Sequence, residues 1–307
     1  MHHRGLLSVA FALALAACKN DKPAPIAEQA PPPASASASA PLAVGEASYV
    51  IRADGKVSVG IDAPLEKFKG ETKKLGGWFR VQPKKLDAST GTITASLLEF
   101  KTMTFDDKDK NESQTEHALN WFEVGDDVKA KRPKDFDNYK EVLFQIDAIE
   151  SVTPSADLTQ VPEKDGLRTV TMKAKGTLWV HSRPAPKTVL VELAFKGSPT
   201  MPSEVSFKTK EPVHVSLAAH DVKPRDTAGK FLDGTLSVIG KKLDDDAQVN
   251  VEGSATHDPG AKVAASASAM ASAMVAGWQA MPPPSAAPAA SLPAAVKPTT
   301  GKPGSGN

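Results

Sequence analysis

Residues 168–180 read RTVTMKAKGTLWV, and Val170, Met172, Ala174, Gly176, Leu178 and Val180 alternate in it with Thr171, Lys173, Lys175 and Thr177. A period of two is that of a half-buried strand, apolar on one face and wet on the other. The same alternation recurs at Val57, Val59 and Ile61, at Val142, Phe144, Ile146 and Ala148, and at Val189, Val191, Leu193 and Phe195. It returns at Val213, Val215, Leu217 and Ala219 and ends with Val249 and Val251. Turn residues punctuate these runs at ADGK, PEKDG, SRPAPK and DGT, with no long helical period between them. An antiparallel sheet follows rather than a chain of parallel crossovers. About eight such strands suit a lipocalin-like antiparallel β-barrel, whose closure removes exposed edges and leaves room for one small ligand. Which face of each strand is interior stays open.

Working outward, the foldable region runs from 48 to 257. Before it, MHHRGLLSVAFALALAACKN has a positive start at Arg4 and an apolar run from Gly5 to Ala17. The run is too short to span a bilayer comfortably and fits an export signal over 1–17. It closes on Leu15-Ala16-Ala17-Cys18, which resembles the lipobox of bacterial lipoproteins, and Cys18 is the only cysteine of the chain. The expectation is lipidation at Cys18, an anchor in the membrane, and a fold without intramolecular disulfides. Lys19 is not the aspartate that signals inner-membrane retention in some bacteria, which favours an outer-membrane lipoprotein facing the periplasm.

Residues 18–47 are rich in Pro, Ala and Ser and read as a tether, because they cannot bury enough surface to offset the entropy of ordering. Residues 258–307 are a low-complexity tail. Within it Met270, Met274, Trp278 and Met281 share one helical stripe that Pro282 to Pro284 would end.

Charge carries no lead: 37 Lys+Arg stand against 36 Asp+Glu, which gives no reason to expect nucleic acid as a partner. There is no Gly-x-Ser-x-Gly elbow, no Gly-rich phosphate loop and no Cys/His spacing for a metal, so neither enzyme nor metal centre is expected. Asp244-Asp245-Asp246 lacks the ligand alternation of a calcium loop and reads as a charged turn. His181 and His214 fall on the polar phase of their strands and are expected to face solvent. DDKDKNES and PKDFDNYK read as solvated loops.

One segment breaks the strand pattern. In NESQTEHALNWFEV, residues 111–124, Asn111 with Gln114 and Ser113 with Glu116 both fit a capping box, which predicts a short helix starting there. Thr115, Ala118, Leu119 and Phe122 would share its buried face, with Trp121 and Phe122 as anchors.

The order Asn111, His117, Trp121-Phe122-Glu123-Val124, then Tyr139-Lys140-Glu141-Val142-Leu143-Phe144, resembles the YceI-like family of exported lipid-binding proteins. The stretch 68–97, FKGETKKLGGWFRVQPKKLDASTGTITASL, is similar to that family's opening strands. Gly176-Thr177-Leu178-Trp179-Val180-His181 resembles its Gly-x-Leu-x-Leu-His strand, and Arg225-Asp226 with Gly229 loosely resembles a later turn. The chain departs from the pattern at Gln114-Thr115, at Lys140, and by about a dozen inserted residues around GDDVKAKRPKDFDN. The resemblance implies an elongated barrel that takes up a quinone or polyprenyl lipid, no cofactor beyond that lipid, no catalysis, and room for a homodimer.

Asn111 and His117 are then the candidates for the headgroup, a histidine of this kind serving equally well as a backbone-bonded helix residue. Phe79, Leu97, Trp121, Phe122, Phe144, Ile146, Leu178, Val180, Val191 and Phe207, with Leu193 and Val215, are the candidate apolar lining. Trp78, Trp121 and Trp179 suit a pocket wall and a packing anchor alike. The alternative is a structural or partner-binding envelope lipoprotein whose barrel is filled by its own side chains.

Overall fold

The computed structural model describes residues 25–29, 31, 42–43, 45–62, 68–223 and 246–258. The signal segment, Cys18, the Arg225 to Gly229 turn and the tail stripe lie outside the described residues.

Among the described residues there are twelve strands: β1 (Ala47–Ile51), β2 (Lys56–Ile61), β3 (Phe68–Thr72), β4 (Leu75–Val81), β5 (Thr90–Ser96) and β6 (Lys101–Thr102) come first. After three helices follow β7 (Glu141–Thr153), β8 (Leu167–Val180), β9 (Arg183–Ser198), β10 (Met201–Thr209), β11 (Val213–Ser216) and β12 (Asp246–His257). All pairings are antiparallel, and the circuit β1-β4-β5-β7-β8-β9-β10-β12 returns to β1, so eight strands close a barrel.

The short strands are halves of interrupted staves. Along one edge of β12, Tyr49 pairs with His257 and Lys56 with Glu252, so β1 and β2 succeed each other there. Along its other edge Glu204 pairs with Thr256 and Val213 with Val249, so β10 and β11 do the same. β3 with β4 forms the next stave, and β5 with β6 the one after it. The result is an up-and-down barrel in sequence order, the topology that period-two runs joined by short turns allow. ADGK is thus a turn within a stave, between β1 and β2.

The alternation sets the interior face. Val170, Met172 and Ala174 of β8 are buried, and the run predicted from Val142 to Ile146 points inward with them. A register shift between Ile146 and Ala148 turns the phase over, so Ala148 is exposed and Ile149 faces in. Prolines depart from expectation too: Pro184 and Pro186 belong to β9, and only His181 and Ser182, with φ of 52° and 55°, make the turn from β8. Positive φ at both central residues is what a tight hairpin turn requires.

One end of the barrel is plugged by its own side chains. Tyr49, Leu86, Leu158, Val170, Phe195 and Val205 meet there with at most 1% of their surface exposed. Tyr49 Oη donates to the Pro202 carbonyl at 2.8 Å, which satisfies its buried hydroxyl, and burial pushes its pKa up.

The other end carries the helices α1 (Lys108–Trp121), α2 (Asp126–Lys131) and α3 (Pro133–Tyr139). The N-cap of α1 is Asp107, four residues before Asn111 and six before Ser113, the caps that the capping boxes suggest. The Asp107 carboxylate accepts from the Asp109 and Lys110 amides, a stronger cap for the first turn than Asn111. Asn111 lies within the helix, its amide donating to the Phe105 carbonyl at 2.7 Å and accepting from the Phe105 amide at 3.0 Å. The predicted face holds: Ala118 is buried, Leu119 and Phe122 pack on the barrel, and the Thr115 hydroxyl accepts from the Thr102 amide at 2.9 Å.

DDKDKNES is therefore mostly the exposed first turns of α1. PKDFDNYK is mostly α3, because Pro133 starts it and Phe136 and Tyr139, three residues apart, give it an apolar stripe that meets Leu97, Val124 and Val128.

A candidate ligand-binding cavity

Between the plug and the helices lies an apolar cavity, in which the space open to the centre of a water-sized sphere is about 200 Å³. Its wall takes inward residues from every stave, among them Val59, Ile93, Ile146, Met172, Val191 and Val249. Along β9 the lining runs over every second residue from Lys187 to Phe195. Eight residue steps of about 3.3 Å at a strand tilt of about 40° make a bore roughly 20 Å long. A volume this small over that length is the shape of a single chain.

The large rings do not block the bore because glycines seat them against the wall. A Cβ at Gly176 would lie 2.6 Å from the Phe144 ring, and one at Gly70 only 2.1 Å from the Phe100 ring. No side chain other than hydrogen fits at either place, so each Phe lies flat across its neighbouring strand.

Of the ten predicted apolar lining residues, nine border this cavity: Phe79, Leu97, Phe122, Phe144, Ile146, Leu178, Val180, Val191 and Phe207. Leu193 and Val215 join them. Trp121 does not. It stacks on Phe68 with ring centroids 6.4 Å apart, and Phe68 stacks in turn on the lining residue Phe100, so Trp121 packs at the helical end of the core one ring away from the bore. Trp78 and Trp179 sit on the outward phase of β4 and β8, next to inward Phe79 and Val180.

The two headgroup candidates are not brought together with the cavity. His117 is exposed on α1 and Asn111 is spent on the Phe105 backbone, and neither borders the bore. Instead Lys187 is the one charged residue of its lining among the described residues. Its stem borders the bore while its Nζ donates to the His214 carbonyl at 2.5 Å.

A buried polar cluster under the helices escaped the sequence reading. His181 is 1% exposed, contrary to the solvent-facing expectation, because the strand alternation ends at Val180 and the turn swings its ring inward. Its Nε2 lies 2.8 Å from Glu123 Oε2, and Arg132 donates to the other oxygen, Oε1, at 2.5 Å. The Tyr139 ring lies against the imidazole at 3.9 Å between centroids. The buried Glu123 carboxylate, with Arg132 at one oxygen and His181 at the other, ties the helices to the barrel end. His214 does face solvent, paired with Asp246.

Residues 25–29 of the Pro/Ala-rich segment lie against the same end. The Ile26 amide donates to the Ala219 carbonyl and the Gln29 amide to the Ser182 carbonyl, both at 2.8 Å, and Tyr139 Oη donates to Glu28 Oε1 at 2.9 Å. That acceptor and burial both push the Tyr139 pKa up, burial the more.

No family model matches the chain, and no curated protein does. Among solved structures, BcnA of Burkholderia cenocepacia is similar at 18% identity and a TM-score of 0.41, over 67% of this chain and 99% of that one. A polyisoprenoid-binding domain from Saccharophagus degradans, implicated in plant cell wall breakdown, is similar at 9% identity and a TM-score of 0.42, over 69% and 99%.

Proposed function

We propose that the barrel binds one apolar chain of a lipid, an isoprenoid such as a quinone or polyprenyl lipid, and carries or stores it in the cell envelope. The observation that carries the reading is the bore: apolar on all sides, closed at the plugged end, and narrow. Bonds of about 1.5 Å advance an extended chain by about 1.25 Å per carbon, so roughly 20 Å accepts about 16 backbone carbons. Burying such a chain is favoured by about 0.8 kcal/mol per CH₂ removed from water. The YceI-like order of residues agrees with an isoprenoid, and we propose binding without catalysis.

We further propose that Cys18 anchors the protein in the outer membrane, facing the periplasm. With residues 25–29 docked on the helical end, the leash from Cys18 to Pro25 is seven residues, at most about 25 Å. That would hold the helical end of the barrel near the lipid surface.

The experiment is mass spectrometry of lipids extracted from full-length protein purified out of its native membrane. A stoichiometric isoprenoid is expected. Recovery of protein with no bound lipid, and no uptake of isoprenoid added in detergent, sinks the proposal and leaves a side-chain-filled structural barrel.

A further inference from the structure

The barrel wall has a window. β9 pairs with β8 along its length, from Leu167 opposite Lys196 to Val180 opposite Arg183. Towards β10 its ladder stops at Val191 opposite Thr209, with one further bond from the Lys210 amide to the Leu190 carbonyl at 2.9 Å. Beyond that the stave continues as β11, which pairs with β12 and has no ladder to β9 among the described residues. Among the described residues, 184–189 therefore have a strand on one edge only.

The sequence holds this window open. The Leu190 and Ala194 carbonyls point towards β10, so even-numbered residues of β9 aim their backbone groups at that edge. Pro184 and Pro186 are even-numbered and have no N–H, so two donors that a closing ladder would need do not exist. Pro212 sits across the window at the start of β11. Arg183, paired with Asp221 at 3.3 Å, closes the top, and the last β9–β10 pairs close the bottom.

Midway stands Lys187. Lys187 and Val213 border both the apolar bore and a polar recess shared with Thr188, Glu211, Pro212 and His214, so bore and recess adjoin through the window. The ammonium spans the gap to the His214 carbonyl and is the one charge at the bore's edge. A cation that gives up a single neutral carbonyl contact in exchange for an oxygen-bearing head loses little and gains a charge-assisted bond. Glu211 in the same recess offsets the lysine charge, which disfavours a head with several negative charges.

We infer that this window is the side door of the bore, and that Lys187 seats the head of a single-chain amphiphile whose head is a carbonyl or a carboxylate with at most one negative charge. The inference rests on the apolar-chain reading and assigns the headgroup end to β9 and β11 instead of to Asn111 and His117 on α1.

The test uses full-length protein carrying Cys18→Ser, stripped of lipid, with two fluorescent polyene probes: a long-chain carboxylic acid and the matching hydrocarbon without a head. Lys187→Met is expected to weaken the acid about tenfold or more, the scale of a hydrogen bond to a charged group, and to leave the hydrocarbon within about twofold. Lys187→Arg restores the acid. Unchanged hydrocarbon binding reports that the variant barrel is folded. Equal binding of the acid by wild type and Lys187→Met overturns the headgroup assignment and leaves the apolar bore standing, whereas a wild type that binds neither probe overturns the bore as well. For the door, a bulky maleimide on His214→Cys is expected to slow uptake of the acid at least about tenfold, and the same label on Lys196→Cys, at the plugged end, to leave it unchanged. Uptake at equal rates in the two labelled proteins refutes the door.

Discussion

Ala174→Leu distinguishes an open bore from a packed interior by the sign of its effect. Ala174 is 3% exposed, stands in the middle of β8 opposite Ile149 and Val189, and borders the cavity. Leucine adds three carbons, which in a dry void of sufficient size contribute about 0.8 kcal/mol each. The bore that the methyl group borders, about 200 Å³ in all, can receive them without moving the wall. Stabilisation of lipid-free protein by about 2 kcal/mol is therefore expected, a rise in Tm of roughly 4–8 °C for a domain of this size. The same side chain narrows a bore already no wider than one chain, so affinity for a polyene probe is expected to fall at least about tenfold. Thermal unfolding of lipid-free protein beside a binding titration reads both. In a filled interior the added carbons would overpack it and cost about 1–3 kcal/mol instead. A fall in Tm, with or without a change in binding, refutes the open bore.

Four further predictions concern the helical end and the anchor. Trp121→Ala removes the ring stacked on Phe68 and is expected to cost about 3 kcal/mol by chemical denaturation. His117→Ala, at an exposed position away from the bore, is expected to leave stability and probe affinity both unchanged, and a loss of affinity would return the headgroup to α1. Burial, ahead of the nearby Lys187 and Arg183 charges, lowers the His220 pKa from 6.5 to about 4, although the Arg183 and Val180 backbone oppose the shift. The unfolded chain then binds the extra proton first, so stability is full above pH 6.5 and falls between pH 6.5 and about 4, by on the order of 3 kcal/mol. His220→Gln should flatten unfolding curves measured across that window, and an equally steep decline in the variant would place the proton elsewhere. Cys18→Ser is expected to abolish labelling by radioactive palmitate and to leave uncleaved precursor, and equal labelling of the two proteins would refute the anchor.

Sequence by itself determined the barrel, because the inward set of each strand is written in a period of two that needs no knowledge of its neighbours. Met172 through Val180 and Val189 through Phe195 point inward as their alternation requires, and seven of the nine predicted residues that border the bore, all but Leu97 and Phe122, do so for that reason. The buried face of α1 was legible on the same grounds. Features that depend on neighbouring strands were not. The phase change after Ile146 comes from register against β8, and the place of Pro184 and Pro186 in a strand comes from β8 holding the other edge. His181 is buried because Glu123, Arg132 and Tyr139 arrive from helices 40 to 60 residues earlier in the chain, and no local pattern records that meeting. Lys187 looks like any charged strand residue in sequence. It acquires its place at the edge of the bore only because the wall parts between β9 and β11, a consequence of how the eight staves close on one another.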